Sequence, residues 1–254
     1  MNKHGIVRAL KKILFSKGEN YLFNNTSLRF LPGTRPIKRK YINAKSDVVR
    51  NDVLQIEYFE KHFSPTDVLW DIGSHNGHYS LFAASVVEGK NQVFSFEPDK
   101  DAMAIQKKNI TLNKFEQKIK TYPIAVSNTD GHLQFHSMSG NSNSRIAKES
   151  DLQNADIISV PTKTLNILLK ELPQPTFVKI DTEGAEIDIL RSASDLLANN
   201  TIKFICELHP FAWDTFSVEY SEFETILKKY GRKISLLDTK KSISDLPYYG
   251  TIFF

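Results

Sequence analysis

From residue 67 onward the chain alternates short apolar runs with amphipathic ones, and this alternation limits its fold more than any other feature. DVLWDI (67–72), QVFSFE (92–97), KIKTYPIAV (118–126), DIISVPT (156–162), TFVKID (176–181) and IKFICEL (202–208) read as strands. Residues 77–87, 99–114, 164–172 and 183–198 read as the helices between them, with Asp99 as an N-cap after Pro98. A helical pattern at 50–63 precedes the series, and SEFETILKKY (221–230), closed by Gly231, follows it. RKISLLD (232–238) and the terminal GTIFF complete the strands. Strands joined through helices need right-handed crossovers and a mostly parallel sheet covered on both faces. The expectation is an α/β three-layer sandwich. Its last two strands lack a long helix between them and should add an antiparallel edge. The Ser- and Asn-rich stretch 137–156 reads as a long inserted loop.

Charge divides the chain in two. Residues 1–50 carry 12 Lys/Arg and two acids, whereas the remaining 204 carry 21 Lys/Arg and 27 Asp/Glu. The expected organisation is a basic N-terminal helix and linker over 1–50, then one domain over 51–254. In the arm, Ile6, Leu10 and Ile13 share a helical face, with Arg8, Lys11 and Lys12 mostly away from it. Such a helix suits an anionic lipid surface or a phosphate-bearing substrate, or simply packs on its own domain. No nucleic-acid motif accompanies the basic residues, so no nucleic-acid partner is expected. The lone Cys206 cannot form an internal disulfide, and no stretch is long and apolar enough for a membrane span. Arg8, Lys11 and Lys12 also break any signal-peptide core. A cytoplasmic location is expected, with peripheral contact at the inner membrane surface as an option. The oligomeric state is not legible.

The turn after the first of these strands reads Asp71-Ile-Gly73-Ser74-His75-Asn-Gly77. In open α/β sheets ligands sit beyond the carboxyl ends of the strands, where glycines let the backbone approach closely. The spacing is not the G-x-G-x-x-G of dinucleotide sites, and Asp71 would meet a pyrophosphate with like charge, which argues against a nicotinamide oxidoreductase. An acid suits a ligand with an amine. Glu97, ending the next strand, stands where a carboxylate accepts from ribose hydroxyls. Together Asp71, Gly73, Gly77 and Glu97 fit a phosphate-free ligand with an amino-acid part and a nucleoside part, as in S-adenosylmethionine. His75 and His78 alone supply too few ligands for a zinc site, so no metal is expected there.

These residues and others further on resemble the FkbM family of S-adenosylmethionine-dependent methyltransferases, over roughly residues 67–237. The resemblance is carried by VLWDIGSHNGHYSLFAA, VFSFEPD, AVSNTDG, VKIDTEGAEIDIL and ICELHP, in that order. It implies a class I methyltransferase, Rossmann-like fold and O-methylation of a hydroxyl on a sugar, glycoconjugate or secondary metabolite. Asp71, Gly73, Gly77 and Ser80 would then hold the methionine end, with Ser74, His75 and Tyr79 in the same turn. Glu97 and Pro98 would lie at the ribose and Ala125 at the adenine. Two places depart from the family. Ser74-His75 stands where its first turn has Ala-Asn, and Leu165-Asn166 where it has Leu-Asp.

Methyl transfer to oxygen needs an in-line approach and a base for the hydroxyl proton. Asp181 ends a strand, and Glu183 and Glu186 begin the next helix, three apart on one face. Glu207 and His209 end the following strand. If the two strands are neighbours, as the class I topology implies, all five groups converge near the first turn. His209, by its ordinary pKa, or Asp181, if burial or like charge raises it, is the expected base. Glu183 and Glu186 have structural readings as a helix cap and a bridge to Lys179 or Arg191. A divalent ion between Asp181 and Glu207 is a further option. The alternative to an enzyme is a non-catalytic module that binds the same cofactor.

Overall fold

In the computed structural model, Leu69–Ile72 (β3) is buried along its whole length, which is why it reads as an unbroken apolar run. The structure describes residues 18–138, 144–147, 156–213, 217–242 and 250–254. The basic arm over 1–17 therefore lies outside the described residues. Two short strands precede β3, β1 (Glu19–Phe23) and β2 (Thr26–Phe30). After it come β4 (Val93–Phe96), β5 (Ile119–Tyr122), β6 (Ala125–Val126), β7 (Gly131–His136), β8 (Arg145–Ile146) and β9 (Ile157–Lys163). The series ends with β10 (Phe177–Ile180), β11 (Lys203–Leu208), β12 (Ser235–Leu236) and β13 (Gly250–Phe253).

The main sheet has seven strands in the order β12-β13-β11-β10-β3-β4-β5. β5, β4, β3, β10 and β11 run parallel, and β13 is antiparallel to both β11 and β12. The reversed strand thus stands one place inside the edge. The order of the strands turns back between β3 and β10, which makes that junction the switch point of the sheet and agrees with the fold that the resemblance implies.

Alternation along each strand feeds two apolar layers. Trp70, Ile72, Phe94, Phe96, Val178 and Ile180 face the helices Leu165–Glu171, Glu186–Arg191, Ser194–Ala198 and Tyr220–Lys229. Leu69, Val93, Phe177 and Ile205 face the helices Asp47–His62, His78–Val86 and Lys100–Asn113. Asp99 caps the last of these, accepting from the Asp101 and Ala102 N–H groups at 2.8 and 3.0 Å.

Several expectations change. The assignment of 1–50 to an arm and linker misses the β1–β2 hairpin. Tyr21, Phe23, Leu28 and Phe30 are buried in the second apolar layer, with Phe23 stacked on Phe82 at 4.1 Å. These residues belong to the same core as the domain that follows. Truncating Phe23 to Ala should lower stability by about 3–5 kcal/mol in urea denaturation, since a cavity forms where two rings stack. The expected strand 118–126 is two strands in different sheets, parted by Pro123, which cannot donate to a ladder. The expected helix 183–198 breaks between Arg191 and Ser194, where Ser192 turns its hydroxyl back onto Ile189 O at 2.8 Å. A second sheet, β6-β9-β7-β8, goes beyond the expected architecture. Its strand β8 lies inside the stretch expected to be loop, of which residues 139–143 and 148–155 are outside the described residues. Among the described residues no helix is long and apolar enough to cross a membrane.

Candidate functional site

The carboxyl ends of β3, β4 and β10 meet at one cleft, with about 710 Å³ of empty space. Gly73 makes the meeting close. Its φ is +73°, and a Cβ built on it would lie 1.7 Å from the Asp181 carbonyl oxygen. Gly73 N and Ser74 N both donate to Phe96 O, at 3.0 and 3.1 Å, so the turn is sewn to the end of β4.

One end of the cleft is apolar. Ile72, Phe96, Ile124, Ala125, Val126, Phe135 and Ile146 line a slot with Glu97 and Pro98 at its edge. Glu97 Oε2 accepts from His75 N at 2.7 Å and Oε1 from Asp99 N at 2.8 Å. Burial raises this carboxyl to about 7, against the pull of those two bonds. The other end of the cleft is acidic, lined by Asp181, Thr182 and Glu183. Glu183 sits at φ +54°, a strained conformation for a residue other than glycine.

Behind that wall lies a buried charge cluster. The Lys179 ammonium is 2.8 Å from Asp181 Oδ2 and 4.7 Å from the centre of the Tyr79 ring. Burial pulls Lys179 down, but Asp181 and Asp71 more than offset it and hold it charged. Burial likewise opposes the charge on Asp181, and Lys179 and His209 override it. His209 Nδ1 lies 3.0 Å from Glu186 Oε1, and Glu186 also accepts from Gly184 N at 2.9 Å and Trp213 Nε1 at 3.0 Å. His209 Nε2 is 3.8 Å from Asp181 Oδ1, 3.8 Å from Glu183 Oε1 and 3.9 Å from Glu207 Oε1. Burial pulls His209 down, yet Glu186 and the surrounding carboxylates raise it to about 10. Burial raises Glu183 to about 7 and, joined by the charge of Asp181, Glu207 to about 8.

The expected site residues thus separate into groups. Gly73, His75, Glu97, Pro98, Ala125, Asp181 and Glu183 line the cleft. Glu186, Glu207 and His209 join them from behind. Asp71 does not reach the cleft. It is fully buried, and its Oδ2 accepts from Ser80 N at 3.0 Å and Ser80 Oγ at 2.6 Å. Asp71 and Ser80 therefore brace the turn from below, and Asp71 Oδ1 is left buried with no hydrogen-bond partner among the described residues. Ser74 is tied to Ser95 and Gln106, and Gly77 packs on Gln106, where a Cβ would stand 2.6 Å from its Cγ. Tyr79 lies under Lys179. None of these lines the cleft.

The histidines of the turn also part. His78 Nε2 lies 2.6 Å from Thr34 O and its ring meets Phe30 edge-on, so it pins the N-terminal segment. His75 has φ +46°, a region where Asn and His are among the better tolerated residues, which accounts for Asn at this place in the family. Asn166, the other departure, bonds Ser194 Oγ at 2.8 Å and the Asp195 N–H, away from the cleft.

Sequence reasoning missed Asp52 and Gln55. Gln55 Nε2 donates to Glu207 Oε2 at 2.5 Å, and burial, then Asp181, raises Asp52 to about 6. The available signal was Asn51 and Gln55 in i, i+4 register with the buried Phe59, polar letters on a core-facing stripe.

Residues 71–234 match the methyltransferase FkbM domain model. The hexuronic acid methyltransferase AglP of Haloferax volcanii is 27% identical over 175 residues, covering 66% of this chain and 64% of that protein. A methyltransferase FkbM structure from Methylobacillus flagellatus superposes with a TM-score of 0.48 at 15% identity, covering 82% of this chain and 54% of that one. Precorrin-6Y C5,15-methyltransferase from Geobacter metallireducens gives 0.45 at 12% identity, covering 80% and 85%. The domain match takes in every site residue from the Gly73 turn to His209, and by it the chain belongs to the methyltransferase FkbM family.

Proposed function

We propose that this chain is an S-adenosylmethionine-dependent O-methyltransferase acting on a hydroxyl of a sugar or glycoconjugate. The observation that carries the reading is a single cleft with an apolar slot and a carboxylate at one end and acids at the other. The slot between Phe96, Ala125, Val126 and Ile146 suits a purine, and Glu97 beside it suits the two ribose hydroxyls. Gly73 and the Asp181–Glu183 segment flank the place left for the methionine part. When bound, the cofactor supplies an electrophilic methyl group. The hexuronic acid named for the Haloferax relative supports a sugar acceptor.

Glu183 is the base in this reading, in place of His209 or Asp181. Its carboxylate lines the cleft, whereas Lys179 neutralises Asp181. His209 is nearly buried and carries its charge among carboxylates. Its part is to hold Asp181, Glu183 and Glu207 together, under the control of Glu186.

Calorimetry with S-adenosylhomocysteine tests the cofactor half. Wild type should bind one equivalent, and Glu97→Ala should weaken binding by about 1.5–3 kcal/mol, the range for hydrogen bonds to a charged group. No binding by wild type, or equal binding by the variant, would remove the site. Binding without turnover on a panel of sugars would favour the non-catalytic module. The pH dependence follows from Glu97. Ribose hydroxyls donate to the ionised carboxylate, so binding should favour the deprotonated form. With that carboxyl at about 7, affinity should rise about 10-fold between about pH 6 and pH 8. Glu97→Gln should flatten the profile.

A further inference from the structure

We propose that Phe211 is the platform on which the acceptor lies, its ring stacked against the C–H face of an uncharged pyranose that presents a hydroxyl to Glu183. The ring stands on the short helix Pro210–Trp213, directly beyond the carboxyl end of β11. At 69% it is the most exposed of the large apolar side chains among the described residues. Its neighbours His209, Ala212 and Trp213 are all buried.

A single exposed apolar side chain is ordinary on a protein surface, and exposure alone says little. What sets Phe211 apart is how firmly it is held, and beside what. The buried Glu186 carboxylate grips the chain on both sides of it. Oε1 lies 3.0 Å from His209 Nδ1, and Oε2 accepts from Trp213 Nε1 at 3.0 Å. Ala212 N closes the turn on His209 O at 2.9 Å. The backbone under the ring is therefore fixed in advance, so little freedom is lost when a ligand settles on it. The ring meets the His209 imidazole at 87° with centres 5.7 Å apart, an edge-to-face contact that covers at most one face of the Phe211 ring. The same imidazole places Nε2 3.8 Å from Glu183 Oε1. These two separations keep the ring within the length of a disaccharide from the base.

The chemistry around the ring selects its occupant. The face of an aromatic ring is negative and attracts the weakly positive C–H groups of a pyranose, while both apolar surfaces leave water. The groups beside it at the acidic end of the cleft, Asp181 and Glu183, are carboxyls, which accept from hydroxyl donors. A ligand with a flat apolar face and a rim of O–H donors fits both. A phosphodiester chain or an anionic lipid surface would meet like charge there. A second copy of this chain would need a contact of about 800 Å² per partner, far more than one ring offers. Contact between a sugar and Phe211 stands without the methyltransferase reading. Its use, to bring a hydroxyl to Glu183, rests on that reading.

The test is saturation-transfer NMR on the intact chain with S-adenosylhomocysteine present, offering the methyl glycosides of glucose, galactose and mannose in turn. Wild type should transfer saturation to at least one of them, and Phe211→Ala should weaken its binding at least about 10-fold. Phe211→Tyr should bind within a few-fold of wild type, whereas Phe211→Leu, apolar but not flat, should fail as alanine does. Leu22→Ala, nearly as exposed on β1, should bind as wild type does. Because the ring is exposed, all four variants should melt with wild type, and S-adenosylhomocysteine affinity should not change. The proposal is overturned if no glycoside receives saturation from wild type, if Phe211→Ala binds it equally well, or if Phe211→Leu restores it. It is overturned too if polyuridylate, and no glycoside, is what binds and is lost in Phe211→Ala. Calorimetry with S-adenosylhomocysteine separates the failures. Binding of that ligand without glycoside contact sinks the platform alone, whereas its absence sinks the methyltransferase reading and leaves the glycosides to decide the platform.

Discussion

Glu183→Gln is expected to lower kcat by about 10²–10⁴-fold, the range for loss of a positioned general base. The substitution keeps the shape of the side chain and removes only its capacity to take a proton. Glu183 lines the cleft next to Thr182, just beyond the end of β10, and His209 Nε2 lies 3.8 Å from its Oε1. Because burial opposes the Glu183 charge, a neutral amide should leave the melting temperature unchanged or raise it. Affinity for S-adenosylhomocysteine should stay within a few-fold of wild type, since Glu97 and the apolar slot are untouched. A fall in kcat with unchanged cofactor binding and unchanged folding identifies the base. Full activity in Glu183→Gln would move the role to Asp181, and Asp181→Asn would then carry the loss.

How much of this was legible in the sequence depends on the range of the forces involved. The β3 and β10 strands showed plainly, because strands buried on both faces read as unbroken apolar runs. Asp99 was legible as a cap because its bonds are two and three residues away. The setting of Asp71 was hidden for the opposite reason. Its letter is what a ligand-binding acid would show, but Ser80, nine residues on, holds it from below the turn. The hairpin at 19–30 was hidden by the basic residues around it, although Tyr21, Phe23, Leu28 and Phe30 alternate as a strand pair should. β7 was also within reach, since Leu133 and Phe135 alternate with polar neighbours in GHLQFH. That β7 and β8 cover the apolar slot was not within reach, because it depends on β9 joining β7 to β6, where Ala125 pairs with the distant Thr162. The charge cluster was half legible. Its acids stand at strand ends, but the donation from Gln55 joins positions 152 residues apart.

Gly73→Ala is expected to destabilise the protein by about 2–5 kcal/mol, a large share of the ~5–15 kcal/mol of a typical domain. Two terms add. A non-glycine residue in the left-handed region gives up about 1–2 kcal/mol, and forcing an atom into a packed site about 1–3 kcal/mol more. The second term is severe here because the neighbour is main chain. The new Cβ would stand 1.7 Å from Asp181 O and 2.8 Å from Asp181 C, and neither can rotate away. The end of β10 must therefore move, although Asp181 N is bonded to Ile72 O at 3.0 Å. That movement also displaces Thr182 and Glu183 from the cleft, so S-adenosylhomocysteine binding should be lost together with stability. Gly33→Ala separates the terms, since Gly33 has φ +80° and a Cβ added there would meet nothing within 4 Å. It should lose only the backbone part, about 1–2 kcal/mol, and bind as wild type does. If urea denaturation found the two variants equally stable, close approach of the two strand ends would not be what the glycine serves. Position 73 would then be glycine for its φ alone, and the placement of the acids would not depend on the turn.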